Sequence, residues 1–327
     1  MSKILSGRSS RMTPLGRSVS IGQVSRFHDM KSQKGERMTT TKISNDVLSI
    51  VIQDFGAELH SIQKDNVEYL WQGDPDFWAR QAPVLFPIVG KLKNGSYTYD
   101  NETFKLGGHG FARDQVFELL ESEEDAVVFE LRANRETREV YPFEFRLRIT
   151  YKLVGNQLTV QWEVKNLDDQ EMYFGIGAHP AFNVPLENGK FEDYRLTITP
   201  AHPRQYIPLN PATGVLDLSQ KHVVDQTEFA LTRELFKDDA LVFETPEATE
   251  VCLSSTVNDR SVKISWENMP FVGLWSPYPA EAPFVCIEPW CGIADDQNTD
   301  GDLTTKFGIN ALAHGKKFKA SYTITIN

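Results

Sequence analysis

The residues best suited to chemistry fall in three short segments. In Cys286-Ile287-Glu288-Pro289-Trp290-Cys291 a carboxylate sits within the most apolar run of the chain. A lone charge is costly to bury there, so Glu288 must be paired or protonated, and either state suits a group that moves protons. In Gly175-Ile176-Gly177-Ala178-His179-Pro180-Ala181-Phe182-Asn183 a histidine is held by small residues and a rigid proline. In Gly107-Gly108-His109-Gly110-Phe111-Ala112-Arg113 three glycines let the backbone approach something closely while His109 and Arg113 project from it. Each segment also has a bland reading: an ion-pair glutamate, a core histidine bonded to a carbonyl, a turn with a surface histidine. Together, a His and a Glu can serve as general acid and general base and exchange those roles.

Two histidines and a glutamate also form a common metal-binding set. Metal sites in β-barrels usually take a close His-x-His or His-x-x-x-His pair. Here His109 and His179 lie seventy positions apart, and neither has an acidic or histidine neighbour within four residues. No metal and no cofactor are expected. Phosphate-binding glycine loops have little support, because no glycine cluster precedes a convincing helix. Cys252, Cys286 and Cys291 give neither a paired framework nor a CxxC spacing, and their odd count favours a reducing compartment. They read as buried structural cysteines.

The elements that must position these groups are strands. Phe143, Phe145, Leu147, Ile149, Tyr151 and Leu153 alternate with polar residues, and after Gly155-Asn156 the alternation resumes at Leu158, Val160, Trp162 and Val164. That pattern predicts an antiparallel hairpin. Further strands are expected over residues 194–198, 240–243, 262–266, 284–288 and 318–326, with helical period confined to short stretches, the best near Thr232 to Phe236. Many strands joined by Gly, Pro and Asn turns predict an all-β, mainly antiparallel sandwich. Twist and curvature would leave a concave face for a ligand. A chain of 327 residues permits one such domain, from residue 41 to 327.

Residues 1 to about 40 differ: seven Arg and Lys between Arg8 and Arg37 lie among Ser and Gly, with acid only at Asp29 and Glu36. The segment reads as an unpacked leader, either an organellar transit peptide or an expression leader or misassigned start ahead of Met38. The formal net charge of −11 and the lack of a basic stripe past that leader argue against nucleic acid. No apolar run approaches the roughly 20 residues that span a bilayer. A cytoplasmic protein with a small-molecule ligand is expected, as a monomer or homodimer.

The three segments, in this order on a β-rich chain, resemble the aldose 1-epimerase, or galactose mutarotase-like, family. The likeness runs from about Ile43 to the C-terminus and lies nearest the branch with GHGFAR, AHPAFN and CIEPW segments. It implies a large β-sandwich (supersandwich) whose concave face binds an aldose and interconverts its anomers without a cofactor. His179 would be the acid that protonates the ring oxygen, and Glu288 the base that takes the anomeric hydroxyl proton. His109 would hydrogen-bond the sugar, as would an aspartate of Lys237-Asp238-Asp239, with Asp239 favoured. One departure is Gly90-Lys91-Leu92-Lys93-Asn94-Gly95, where galactose mutarotases carry an Asn-Arg pair; Lys91 keeps the charge without the planar fork. Trp275 is the aromatic chosen to stack on a sugar face. Arg113 and Lys91 could instead hold a phosphate, making the substrate a hexose 6-phosphate. Two other classes are a non-catalytic carbohydrate-binding module, in which loss of Glu288 would not affect binding, and a metal-dependent β-barrel oxygenase or isomerase.

Overall fold

The Phe145–Val154 strand buries every second side chain, and Gln157–Asn166 answers it in continuous antiparallel register from Phe145↔Asn166 to Val154↔Gln157. This hairpin, the one predicted from alternation, sits inside a nine-stranded sheet of the computed structural model, which describes residues 38–327. The leader expected at the N-terminus lies, as far as residue 37, outside the described residues. In sheet order the nine strands are Glu228–Ala230, Tyr194–Thr199, Thr249–Ser255, Ser261–Trp266, Lys317–Ile326, Gln157–Asn166, Phe145–Val154, Ala126–Arg132 and Glu118–Ser122.

A second, eight-stranded sheet runs His222–Val224, Arg204–Tyr206, Leu241–Glu244, Phe271–Trp275, Phe284–Cys291, Ile176–Ala178 and Val84–Leu85, with Ala181–Asn183 also pairing to Phe284–Cys291. Strand pairings in both sheets are antiparallel. Trp162, Ile149 and Ile324 from the first sheet and Leu274, Val285 and Ile287 from the second share one core, so the sheets form a sandwich. Each such side chain, fully buried, contributes about 1.5–3 kcal/mol.

The Phe284–Cys291 strand is buried at every position. Val285 and Ile287 face the shared core, and Cys286 and Trp290, on the opposite face of the pleat, pack into two separate apolar clusters. Burial on both faces explains why the run is apolar throughout and why its one carboxylate stands out. The strand extends past Glu288, through Pro289, where the sequence reading ended it. Near Thr232 the chain forms a 3-10 turn, Arg233–Phe236, capped by the Thr232 side chain. Among the described residues the one α-helix is Arg135–Val140, closed by an Asn134 capping box; sequence periodicity did not reveal so short an element. No described helix is long and apolar enough to cross a membrane.

Candidate active site

The site begins where a ladder is interrupted. On one side of Phe284–Cys291, Ile176 and Gly177 pair with Cys291 and Trp290, and Ala181 to Asn183 pair with Cys286 to Phe284 in the same register. Between them the ladder lapses at His179-Pro180, where a single Ile287 N–H to Pro180 O bond of 3.3 Å remains. That register sets His179 opposite Glu288, and Pro289, which has no N–H to give, falls in the same gap. His179 Nε2 lies 3.3 Å from Glu288 Oε2, with side-chain exposures of 10% and 2%. The two atoms are close without hydrogen-bond geometry: Glu288 Oε2 and His179 Nδ1 are buried with no hydrogen-bond partner.

Both groups are driven towards their neutral forms. Burial pushes the Glu288 carboxyl well above its usual range, and the nearby Asp239 charge adds to that; the Trp290 indole N–H only partly offsets them. Burial likewise holds His179 well below the usual imidazole value, helped by His109 and Arg113. Both shifts favour the neutral pair, with the titrating proton on Glu288. The His179 ring is fixed by packing, stacked on Trp78 at 4.8 Å and met edge-on by Trp275 at 5.6 Å. Trp290, which donates to the Ala178 carbonyl at 3.2 Å, occupies a slot cut by two glycines. A Cβ at Gly177 or Gly273 would come within 2.6 or 2.4 Å of its ring.

His109 sits in left-handed backbone at φ 67°, an uncommon conformation for a side-chain-bearing residue. Gly90 holds it there twice: the His109 N–H donates to Gly90 O at 2.8 Å and the Gly90 N–H donates to His109 Nδ1 at 3.2 Å. An accepting Nδ1 leaves the proton of the neutral ring on Nε2, so His109 is a donor. Burial and the nearby cations Arg113, Lys91 and Arg80 lower it to about 3, which keeps it neutral. Position 90 admits glycine alone, because φ is 72° and a Cβ would meet Ala294 Cβ at 2.5 Å.

These groups line a cavity of about 550 Å³ whose wall includes Val242, Trp275, Glu288 and Trp290 of the eight-stranded sheet. His179, Glu288, His109, Lys91, Arg113, Asp239 and Trp275, the residues singled out from sequence, all border it. Of the two aspartates in the Lys237-Asp238-Asp239 segment, Asp239 lines the cavity; it too has left-handed backbone, φ 79°, and its carboxylate accepts from the Ala240 N–H at 2.8 Å. Arg113 donates to Gly108 O at 2.7 Å, while its buried Nε, 3.9 Å from Asp114 Oδ2, has no hydrogen-bond partner among the described residues. Sequence reasoning had not assigned Lys237 or Tyr278 to the site, nor the Leu209–Leu216 loop that adds Pro211 and Gly214 to one wall. It also missed Asp295. This buried carboxylate accepts from the Lys93 N–H at 2.8 Å and pairs with Lys306 at 3.0 Å, while its own N–H donates to Lys91 O at 2.9 Å. No local motif marks such a tether, since its partners are distant in sequence. Cys286 and Cys291 are buried and Cys252 is half-buried; all three are free thiols.

A model of the aldose 1-epimerase family matches residues 39–324. The chain is 34% identical over 297 residues to the plasmid-encoded protein LacX of Lactococcus lactis subsp. lactis, covering 88% of this chain and 99% of that one. Among solved structures, the galactose mutarotase related enzyme from Lactobacillus acidophilus is 42% identical, with a TM-score of 0.86 over 88% of this chain and 97% of its own. A galactose mutarotase-like protein from Lactobacillus casei ATCC 334 is 32% identical, with a TM-score of 0.82 over 88% of this chain and all (100%) of its own.

Proposed function

Because the chain belongs to the aldose 1-epimerase family, we propose that it interconverts the α and β anomers of an aldose by acid/base ring opening, with His179 and Glu288 as the proton-transfer pair. The observation that carries this reading is their placement: opposite one another in register, 3.3 Å apart, at the cavity wall, with Glu288 Oε2 and His179 Nδ1 free of hydrogen-bond partners among the described residues.

Ring opening removes a proton from the anomeric hydroxyl and delivers one to the ring oxygen. A pair that holds a single proton meets that need without changing its total charge. With the proton on His179, Glu288 accepts from the hydroxyl while His179 donates to the ring oxygen, which leaves Glu288 protonated and His179 neutral. That is the form burial favours in the empty site. Rotation about the C1–C2 bond of the open aldehyde followed by the reverse transfers yields the other anomer. Each group contributes on the order of 10² to 10⁴ in rate, and a reaction that already proceeds in water requires little beyond that and orientation.

The remaining residues hold the sugar. His109 Nε2–H donates to a sugar oxygen, Asp239 accepts from a hydroxyl, and Trp275 offers an apolar face to the ring C–H groups. Lys91, Arg113 and Lys237 bring three cations to a cavity with two carboxylates, one of them pushed towards its neutral form. That charge balance favours a second reading, in which the aldose carries an anionic group such as a 6-phosphate.

The test is polarimetry of freshly dissolved α-glucose and α-galactose, with NMR exchange measurements on glucose 6-phosphate, comparing wild type with Glu288→Gln. Wild type accelerates anomer equilibration and the variant does not. Unaltered turnover by Glu288→Gln would remove the assignment of the base, and no acceleration of any sugar by wild type would favour a binding module.

A further inference from the structure

We propose that Cys286 joins His179 and Glu288 in a site for a thiophilic divalent cation, Zn²⁺ or Cd²⁺, which occupies the proton-transfer atoms and so acts as a competitive inhibitor. Only the inhibitory consequence rests on the epimerase reading; the binding does not.

One ligand atom from each residue, the imidazole nitrogen, the thiol sulfur and a carboxylate oxygen, lies within 4.8 Å of the other two, and all three residues are buried. Cys286 and Glu288 are two apart on one strand and share a face, while His179 stands across from Glu288 in register. The Nε2 to Oε2 separation of 3.3 Å matters most. Tetrahedral zinc with bonds of about 2.0–2.1 Å to nitrogen and oxygen has an N···O edge of about 3.3 Å, so these two donors already stand at metal-bridging distance. They stand there without the hydrogen bond that would otherwise explain the approach, and Glu288 Oε2, in a side chain only 2% exposed, has no hydrogen-bond partner among the described residues. Rotation of the Cys286 side chain brings Sγ the further 1 Å or so that a bond of about 2.3 Å requires.

Coordination displaces the thiol proton and any proton on Glu288, both of which go to solvent, and it takes the lone pair of neutral His179. Cys286 lies in the apolar cluster of Trp71, Ala181 and Phe284, behind the cavity wall. The ion therefore enters from the cavity, past His179 and Glu288, and its open position faces the space a sugar would fill. A resident zinc site also anchors the second nitrogen of each histidine ligand. His179 Nδ1 has no such anchor. The arrangement thus suits an exchangeable competitor.

The experiment titrates the full-length chain, prepared metal-free and without a histidine tag, with CdCl₂ and ZnCl₂. The ultraviolet thiolate-to-Cd²⁺ charge-transfer band reports binding, and anomer equilibration reports inhibition. Wild type, Cys252→Ser and Cys291→Ser should develop the band at one equivalent. Cys286→Ala should lack it and bind Cd²⁺ at least tenfold more weakly; its metal-free activity should stay within about twofold of wild type and should resist Cd²⁺. Cys286→Ser gives the same reading if the alanine variant does not fold. Persistence of the band in the Cys286 variants, or Cd²⁺ binding without a band in wild type, overturns the proposal. Failure of every aldose to react would sink the epimerase reading and leave the band to decide this one.

Discussion

Glu130 and Glu288 are both nearly inaccessible glutamates, 4% and 2% exposed, one on each large sheet, but Glu130 is covered by half-exposed arginines at the outer face whereas Glu288 lies in a strand buried at every position. Burial pushes the Glu130 carboxyl up, but bonds from Arg148 and Arg132, both at 2.6 Å, together outweigh it and hold the group below its usual range. Among the described residues Glu288 is paired with no Lys or Arg. Burial raises it, and its near neighbours are a histidine held neutral and Asp239, a like charge. The difference follows from the sheets themselves. The nine-stranded sheet has long, continuous ladders whose outer face can array Arg and Lys against acid, as Arg146, Lys317 and Lys319 also do around Glu163. The eight-stranded sheet is interrupted at His179-Pro180, and the interruption leaves polar atoms without partners. A buried carboxylate with matched cations serves structure, whereas one without them keeps its proton available.

The largest effect expected from this contrast is on turnover. His179→Asn removes the partner of Glu288 while keeping a similar shape, and should lower kcat by about 10² to 10⁴. Glu130→Gln should leave kcat within about twofold. Polarimetry on both variants checks the pair; a comparable loss of kcat in Glu130→Gln would break the division between the two carboxylates.

A smaller effect is expected one shell away from the proton-transfer pair. Gly90→Ala forces a Cβ onto Ala294 and strains a backbone at φ 72°, so the N–H that fixes His109 Nδ1 must shift. The His109 donor then loses its orientation, and kcat/KM should fall by roughly 10- to 100-fold, the cost of one misplaced hydrogen bond to a sugar oxygen that gains charge during ring opening. Lys91→Ala, which leaves that N–H in place, should act mainly on KM. Steady-state kinetics separate the two, and a pure KM effect in Gly90→Ala would mean that His109 needs no such fixing.

The pH profile sharpens the comparison further. Adding a second proton to the pair requires charging His179, which burial holds below its ordinary 6.5, and removing the shared proton requires ionising Glu288, which burial holds above its ordinary 4.5. The apparent values belong to the pair. The acidic limb of kcat/KM should therefore lie below 6.5 and the alkaline limb above 4.5, enclosing a plateau. An acidic limb at or above the ordinary imidazole value would show that His179 is not buried as described.

Much of this was legible in the sequence, and for identifiable reasons. Period-two alternation announced the Phe145–Val154 and Gln157–Asn166 hairpin because each strand has one wet face and one dry face. Glu288 was conspicuous because its strand is dry on both. Glycine runs flagged His109 and His179, but the need for glycine at position 90 was not legible, because it comes from the close approach of Ala294, about two hundred residues away. The register that sets His179 opposite Glu288 was not legible, since it depends on pairing between strands more than a hundred residues apart. Nor was the Asp295–Lys306 tether behind Lys91, because no motif marks either residue and both are buried only by the fold. The sequence reading ended this strand at Glu288, whereas the structure carries it on through Pro289, which pairs with Val272 on the neighbouring strand.

The smallest effects are on stability, where the two carboxylates should differ in sign. Glu130 is depressed in the folded state, so its contribution is present above the unfolded value near 4.5 and is lost as pH falls through the folded value. Glu130→Gln should therefore cost about 1–3 kcal/mol near neutrality and less in acid. Glu288 is raised in the folded state, so its contribution is complete below 4.5 and is lost as pH rises through the folded value. Glutamine there avoids that loss. Glu288→Gln should match wild type in acid and exceed it by a few °C in Tm at mildly alkaline pH, of the order that 1–2 kcal/mol gives a chain of this size. Thermal melts of both variants from about pH 4 to about pH 8 should thus move apart as pH rises, one above wild type and the other below. Parallel curves would mean that the cations around Glu130 and their absence around Glu288 do not set the protonation of either group.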